Sequence, residues 1–380
     1  SIVQHKRGHD PVFLNTAWVF QIARGMILCV AIIFLAQPIA IFYGTPELEE
    51  LLYLSALVPF FQGFYSTKMA TAKREIQLAR LVSLELGAQA AGILVMIILS
   101  WWLRTVWGLA IGTLVAPFMI AALSHVVLKG TRNRLQIERD ALKSLAGFGK
   151  YIFIATIAGF FVSQGDRTVL GKYVPLEELA IFNIGFFLAT VPRLLTHAVS
   201  NSVIWPLYAR RPPAESVSNT RKINSARRIL TGGMLLMVAI LALIGVWLVD
   251  LLYDSRYEGA GPILVVSALG TLPLIVTQTY QLMPLAYGDS GRFAAYTCVR
   301  AVLVLGLLFF AVPTWGIWAA AVAPGLATIL IHPYLIWTIS PYKAWDIKHD
   351  LMFAILSALV IAIVLWVHAE TLISAVKPIG

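Results

Sequence analysis

Apolar residues run along this chain in long blocks separated by short polar and basic connectors. This is the pattern of helices that are greasy all round, not on one stripe. A helix needs about 20 apolar residues to cross roughly 30 Å of hydrocarbon. Eleven blocks meet or approach that length: residues 13–43, 49–66, 81–103, 107–128, 148–168, 176–208, 229–253, 260–287, 293–312, 315–340 and 350–369. The block 49–66 is short and carries Pro59, Gln62 and Gly63, breakers that a membrane helix tolerates where neighbours satisfy the freed backbone. The pattern predicts an all-α, polytopic helical membrane protein with about eleven transmembrane helices in two lobes.

The connectors organise the blocks. Four helices occupy 1–128, a linker follows at 129–147, six helices fill 148–340, and 341–380 holds one further C-terminal helix. Within the linker, charged and apolar residues from Arg132 to Lys143 recur at helical spacing, which predicts an amphipathic helix lying in the cytoplasmic interface.

Composition agrees, since 59% of residues are hydrophobic and 13% charged, half the ~25% charged share of an ordinary globular domain. The net charge of +10 would suggest nucleic acid in a soluble protein, but position along the chain gives it another meaning. Alternating crossings divide the connectors into two sets, one with twenty Lys and Arg and the other with five. The positive-inside rule then puts the N-terminus in the cytoplasm and the C-terminus outside, with no role for nucleic acid. Cys29 and Cys298 lie singly in apolar runs, which argues against a disulfide framework or a metal site, and no P-loop or dinucleotide-binding glycine motif is present, so no cofactor is expected.

An ionised side chain at mid-bilayer costs about 2.5–3.5 kcal/mol or more, so those that persist usually face a cavity or a partner. Arg24, Arg193 and Arg300 are such residues, and the predicted orientation puts all three in the inner half of the membrane. Three polar stripes recur at helical spacing: Thr190, Arg193, His197 and Asn201; Thr156, Gly159, Ser163 and Asp166; and Ser267, Thr271, Gln278 and Gln281. They predict the walls of a water-filled cavity, positive on its cytoplasmic side. Helix packing by small and hydroxylated residues, and arginines snorkelling to the headgroups, are the alternatives. Asp166 and Arg167 stand adjacent near a helix end, as an ion pair closing a gate or as charges satisfied at the interface.

These residues resemble a known family. The stretch from Phe148-Gly149-Lys150 to Gly165-Asp166-Arg167 and Leu170-Gly171, then Ile181-Phe182-Asn183 and Pro192, is similar to the opening of the second lobe in the polysaccharide-transport family of oligosaccharide flippases. That family shares a superfamily with the multidrug and toxic-compound extruders. Asp10-Pro11 through Trp18 to Arg24-Gly25 resembles its third helix and the loop before it, and Leu252-Tyr253-Asp254 through Arg256-Tyr257 to Gly261-Pro262 its later outer loop. The resemblance implies that two helices of the first lobe are missing ahead of Ser1. It also implies a lipid-linked oligosaccharide as substrate, carried on undecaprenyl pyrophosphate from the inner to the outer leaflet for O-antigen, capsule or exopolysaccharide assembly. Coupling to Na+ or H+ and cooperation with a polysaccharide polymerase are further implications. Arg24, Arg193, Arg300, His197, Asn201 and Gln278 are the expected substrate contacts, guanidinium being suited to bidentate phosphate recognition. The competing readings are a cation-coupled drug extruder, which would bury carboxylates, a flippase for the peptidoglycan lipid precursor, and a membrane polysaccharide polymerase, which would be an enzyme with a large outside loop.

Overall fold

A computed structural model describes residues 7, 9–74, 78–200, 204, 207–208 and 213–375. The described residues are helical with no strand, and eight helices among them are long and apolar enough to cross a membrane. Large apolar side chains such as Phe34, Trp101, Val126, Phe310 and Trp366 stand exposed on these helices. In water such a surface would be an aggregation hazard, whereas in a bilayer it is the lipid-facing shell. The protein is a multi-pass, all-helical membrane protein. Its chain divides into two compact units, Ser1–Lys150 and Tyr151–Gly380.

The first unit contains α1 (Pro11–Tyr43), α2 (Glu47–Ser55), α3 (Leu57–Gly63), α4 (Lys68–Arg74), α5 (Leu78–Leu103), α6 (Val106–Val127) and the start of α7 (Arg139–Tyr173). Asp10 caps α1 by accepting from the Val12 amide at 3.0 Å, and Gly44 ends it in the left-handed conformation at φ 68°. The block at 49–66 is not one straight crossing, because α2 and α3 meet end to end at Ala56 and neither reaches spanning length.

The connector after α6 departs from expectation. Residues 131–138 are irregular and only from Arg139 onward is the chain helical, so the amphipathic helix expected over Arg132–Lys143 does not form at its start. Buried side chains compete for this backbone. Asn15 Oδ1 accepts from the Arg134 amide at 3.0 Å, its Nδ2 donates to Gln136, and Thr16 Oγ1 accepts from the Glu138 amide at 3.0 Å. Asn133 Oδ1 accepts from Ser66 Oγ at 2.7 Å while its Nδ2 donates to Thr67 Oγ1 at 2.6 Å. Side-chain hydrogen bonds of this kind offer the backbone an alternative to the helix ladder, and here they fasten the connector to α1 and to the 64–67 turn.

The second unit holds the rest of α7, then α8 (Leu176–Val199), α9 (Val217–Leu252), α10 (Ala260–Gln281), α11 (Met283–Ala286), α12 (Ser290–Ile339), α13 (Ile347–Val367) and α14 (Ala369–Ala375). Helix α10 is its axis: 83% of the apolar stretch around it is buried, against 17–33% for the other spanning stretches. Helices α8, α9 and α12 pack around it.

Helix α12 cannot be straight. Fifty residues at about 1.5 Å each would span some 75 Å, yet Val304, Ala321 and Pro324 border one small cavity. The break is at Gly316, whose φ of 54° and ψ of −134° are non-helical. The blocks 293–312 and 315–340 therefore meet as a hairpin.

Because lipid is as apolar as leucine, helices in a membrane gain little by hiding grease from each other and associate through close packing of small residues. The seam between α10 and α12 illustrates this. A Cβ on Gly325 would fall 2.3 Å from the Gly270 carbonyl oxygen, and one on Gly270 2.5 Å from that of Ala321. Only glycine allows the two backbones this close.

Candidate functional site

The three polar stripes meet inside the second unit. Ser163 and Asp166 of α7, Thr190 and Arg193 of α8, and Ser267 and Thr271 of α10 border one cavity, closed by the α12 hairpin at Val304, Ala321 and Pro324. Two members of each stripe thus face the same point. The cavity measures about 20 Å³, enough for a single water. A larger groove of about 600 Å³ beside Trp315 and Trp318 is lined mainly by apolar side chains, with Glu178 and Thr314 as polar members.

Most of the cavity's hydroxyls spend their hydrogens on their own helices: Thr190 Oγ1 donates to Phe187 O at 2.8 Å, Thr271 Oγ1 to Ala268 O at 2.7 Å and Ser163 Oγ to Phe160 O at 3.1 Å. The charged groups are less well satisfied. Asp166 is 4% exposed and its Oδ2 is buried without a hydrogen-bond partner. Arg193 is half-buried. It is held between the attraction of Asp166 and the repulsion of Arg300, and no hydrogen bond from its guanidinium joins a described residue. Arg300, on α12, is 8% exposed. Its Nη1 donates to Gln281 Oε1 at 3.1 Å, and its Nε is buried without a partner. Leaving buried polar atoms unpaired costs about 1–3 kcal/mol each, and more when charged. Two arginines and one carboxylate, incompletely paired in low dielectric, are therefore poised for an anion or an ordered water.

The other expected contacts fall elsewhere. Gln278 is buried on α10, three residues before Gln281. His197 is exposed on α8 and does not border the cavity. Arg24 is exposed on α1 of the first unit, and Asn201 lies outside the described residues. Arg167 is exposed while Asp166 is buried, because adjacent residues on a helix point about 100° apart. Arg167 Nη1 lies 3.4 Å from Gln164 Oε1, and no ion pair within 4 Å joins it to Asp166.

Sequence reading missed a second polar cluster, in the same unit. Arg227 belongs to a basic run taken as a loop, but α9 already begins at Val217, and Arg227 lies inside it with 0% exposure. Its Nη2 donates to Tyr208 Oη at 2.6 Å, its Nη1 donates to Ala344 O at 3.1 Å, and its guanidinium stacks 4.0 Å from the Tyr280 ring centroid. The available signal was the run Ile223, Arg227, Leu230, Thr231, which puts the arginine on the buried stripe at helical spacing. His332, His349 and Asp350 complete this cluster.

The fold and the buried polar cavity define a class of multi-pass helical membrane protein with ionisable groups in its interior. The chain belongs to the family described as polysaccharide biosynthesis protein, whose model matches residues 1–262. Among curated relatives, it is 20% identical to the teichuronic acid biosynthesis protein TuaB of Bacillus subtilis (strain 168) over 80% of this chain and 62% of that one. It is 22% identical to the lipopolysaccharide biosynthesis protein WzxC of Escherichia coli (strain K12) over 70% and 54%. To the succinoglycan biosynthesis transport protein ExoT of Rhizobium meliloti (strain 1021) it is 21% identical over 80% and 60%. The chain thus spans less than two thirds of the length of each. Among solved structures, the lipid II flippase MurJ in an inward closed conformation superposes with a TM-score of 0.71 at 13% identity, over 97% of this chain and 80% of that one. An inward-facing multidrug resistance MATE family transporter superposes with 0.66 at 17% identity, over 89% and 82%. These likenesses establish the fold. Relatives and neighbours named for an activity are flippases or transporters, not enzymes.

Proposed function

We propose that this protein moves a lipid-linked oligosaccharide, carried on undecaprenyl pyrophosphate, from the inner to the outer leaflet of a bacterial inner membrane for surface polysaccharide assembly. The observation that carries the reading is the placement of Arg193 at a buried polar cavity inside the helical unit, close enough to Arg300 to feel its charge, with the Nε of Arg300 buried and left without a partner. Pyrophosphate is the group that a guanidinium pair would select. At about 20 Å³ the cavity is shut in this conformation, so access requires its helices to part, as alternating access demands. With the N-terminus cytoplasmic, the headgroup enters from the basic side. Family membership and relatives named for teichuronic acid, lipopolysaccharide and succinoglycan biosynthesis support the substrate class. Polymerase machinery is the natural consumer of the product.

One observation favours a second reading. A cation-coupled extruder would bury a carboxylate, and Asp166 is such a group in the same cavity. The decisive experiment is complementation of a strain lacking the full-length protein with Arg24→Ala, Arg193→Ala, Arg300→Ala and Asp166→Asn. The flippase reading expects the arginine variants to lose surface polysaccharide and accumulate the lipid-linked precursor at unchanged protein levels. Normal polysaccharide with Arg193→Ala and Arg300→Ala, together with drug sensitivity in Asp166→Asn, would transfer the assignment to the extruder.

A further inference from the structure

The second polar cluster converges on one carboxylate at the first turn of α13. Asp350 Oδ1 accepts from Tyr280 Oη at 2.8 Å and lies 2.9 Å from His349 Nδ1. Its Oδ2 accepts from Trp345 Nε1 at 2.9 Å and lies 3.2 Å from His332 Nε2. Four donors thus reach one side chain, from α10, α12, α13 and the turn before α13. His349 is fully buried, and its other nitrogen, Nε2, lies 3.0 Å from Thr231 Oγ1 on α9. The remaining ionisable groups facing the cluster are Arg227 of α9, stacked on Tyr280 and bonded to Tyr208, and Arg228 of α9, ion-paired to Asp346 at 3.0 Å. Lys348 on α13 is exposed.

The two imidazoles are not equivalent. His349 has both nitrogens engaged, so a proton added there makes Nε2 a donor and forces the Thr231 hydroxyl to turn away. His332 uses one nitrogen on Asp350, and 27% of its side chain is exposed. In its neutral form Nε2–H donates to Asp350 while Nδ1 keeps a lone pair. A proton from solvent adds to Nδ1 without disturbing any hydrogen bond here, and the hydrogen bond from a neutral imidazole to a carboxylate becomes an ion pair with the same N–H donor.

We infer that His332 and Asp350 form a proton-binding site, separate from the Arg193 cavity, in which protonation of His332 fastens α12 to the α9–α10–α13 cluster. The proton binds at His332 Nδ1, Asp350 carries the counter-charge throughout, and no other bond changes. The site stands on its own geometry, independent of which substrate the protein carries.

Trp345 is the built-in reporter, since its indole N–H ends on the oxygen that His332 faces. The test is a pH 8 to 5 titration of the full chain in detergent or nanodiscs, labelled with 15N at the tryptophan indoles. The ten other tryptophans serve as the fold control. The expected result is a Trp345 signal that shifts with pH in the wild type and loses that dependence in His332→Gln. In His332→Lys, with a permanent cation beside Asp350, the signal is expected to stay at its acidic position at every pH. This second variant covers the case in which His332→Gln does not fold. A Trp345 signal that is flat in the wild type, that titrates unchanged in either variant, or that loses its pH dependence only in His349→Gln would overturn the assignment.

Discussion

Alanine at Gly325 gives the sharpest test of the packing argument. Its Cβ would fall 2.3 Å from the Gly270 carbonyl oxygen, with that residue's carbonyl carbon and Cα at 3.2 and 3.3 Å. All three atoms are backbone, so no side chain can swing away. Comfortable carbon contacts lie near 3.5–4.0 Å, so α10 and α12 must part by about 1 Å, a gap that forfeits a quarter to a half of each dispersion contact along the seam. Overpacking of this kind typically costs about 1–3 kcal/mol, and a clash between two backbones belongs at the upper end. The control is Gly233→Ala on α9, where a new Cβ meets nothing within 4 Å; removing a helix glycine there should gain up to about 1 kcal/mol. The assay is equilibrium unfolding in mixed micelles, with both variants against wild type. The reasoning expects opposite signs from the same chemical change. Equal stabilities, or a Gly325→Ala more stable than Gly233→Ala, would refute the claim that glycine permits this approach.

Other consequences follow from the same geometry. Arg227→Ala should lower stability by about 1–3 kcal/mol, the usual cost of leaving a buried polar group unpaired, because it removes the donors to Tyr208 Oη and Ala344 O and the stack on Tyr280; Arg227→Lys should recover only part, as read by thermal unfolding. Asn133→Leu should cost about 1–3 kcal/mol by leaving Ser66 and Thr67 unpaired, and faster proteolysis between residues 129 and 138 would register it. At the N-terminus, hydrogen bonds from Arg7 hold the Asp10 carboxyl below the usual carboxylate range. A lowered folded value means that Asp10 stabilises above the ordinary carboxylate range and loses this only as pH falls through the lowered value. In Arg7→Ala the loss should therefore begin at higher pH, visible as an earlier titration of the Asp10 carboxyl carbon.

Periodicity alone showed which side chains share a helix face, which is why Ser163, Asp166, Thr190, Arg193, Ser267 and Thr271 were readable as stripes before their helices were placed together. It could not show which stripes meet. His197 follows Arg193 by one turn in perfect register, yet it is exposed, because a packed helix buries only the stretch its neighbours cover. The adjacency of Asp166 and Arg167 suggested a pair, although two successive helix positions diverge too far to face one partner.

Charge counting misjudged two segments for the same reason. Arg227 read as a connector charge because it sits among Arg221, Lys222 and Arg228, but α9 extends past its apolar block and turns that one arginine inward onto Tyr208 and Tyr280. The 131–138 connector had helical spacing, and the partners that keep it irregular, Asn15, Thr16 and Ser66, lie more than sixty residues away in sequence.

By itself, the sequence determined that this is an all-helical, multi-pass membrane protein, because lipid leaves each backbone no partner but its own helix and long apolar blocks record that demand residue by residue. Only the tertiary structure decided that Arg193 shares a cavity with Asp166 and senses Arg300, and that Arg227, His332, His349 and Asp350 form a second centre. Such meetings depend on which helices can approach, and that is governed by distant small residues such as Gly270 and Gly325 and by the hairpin at Gly316.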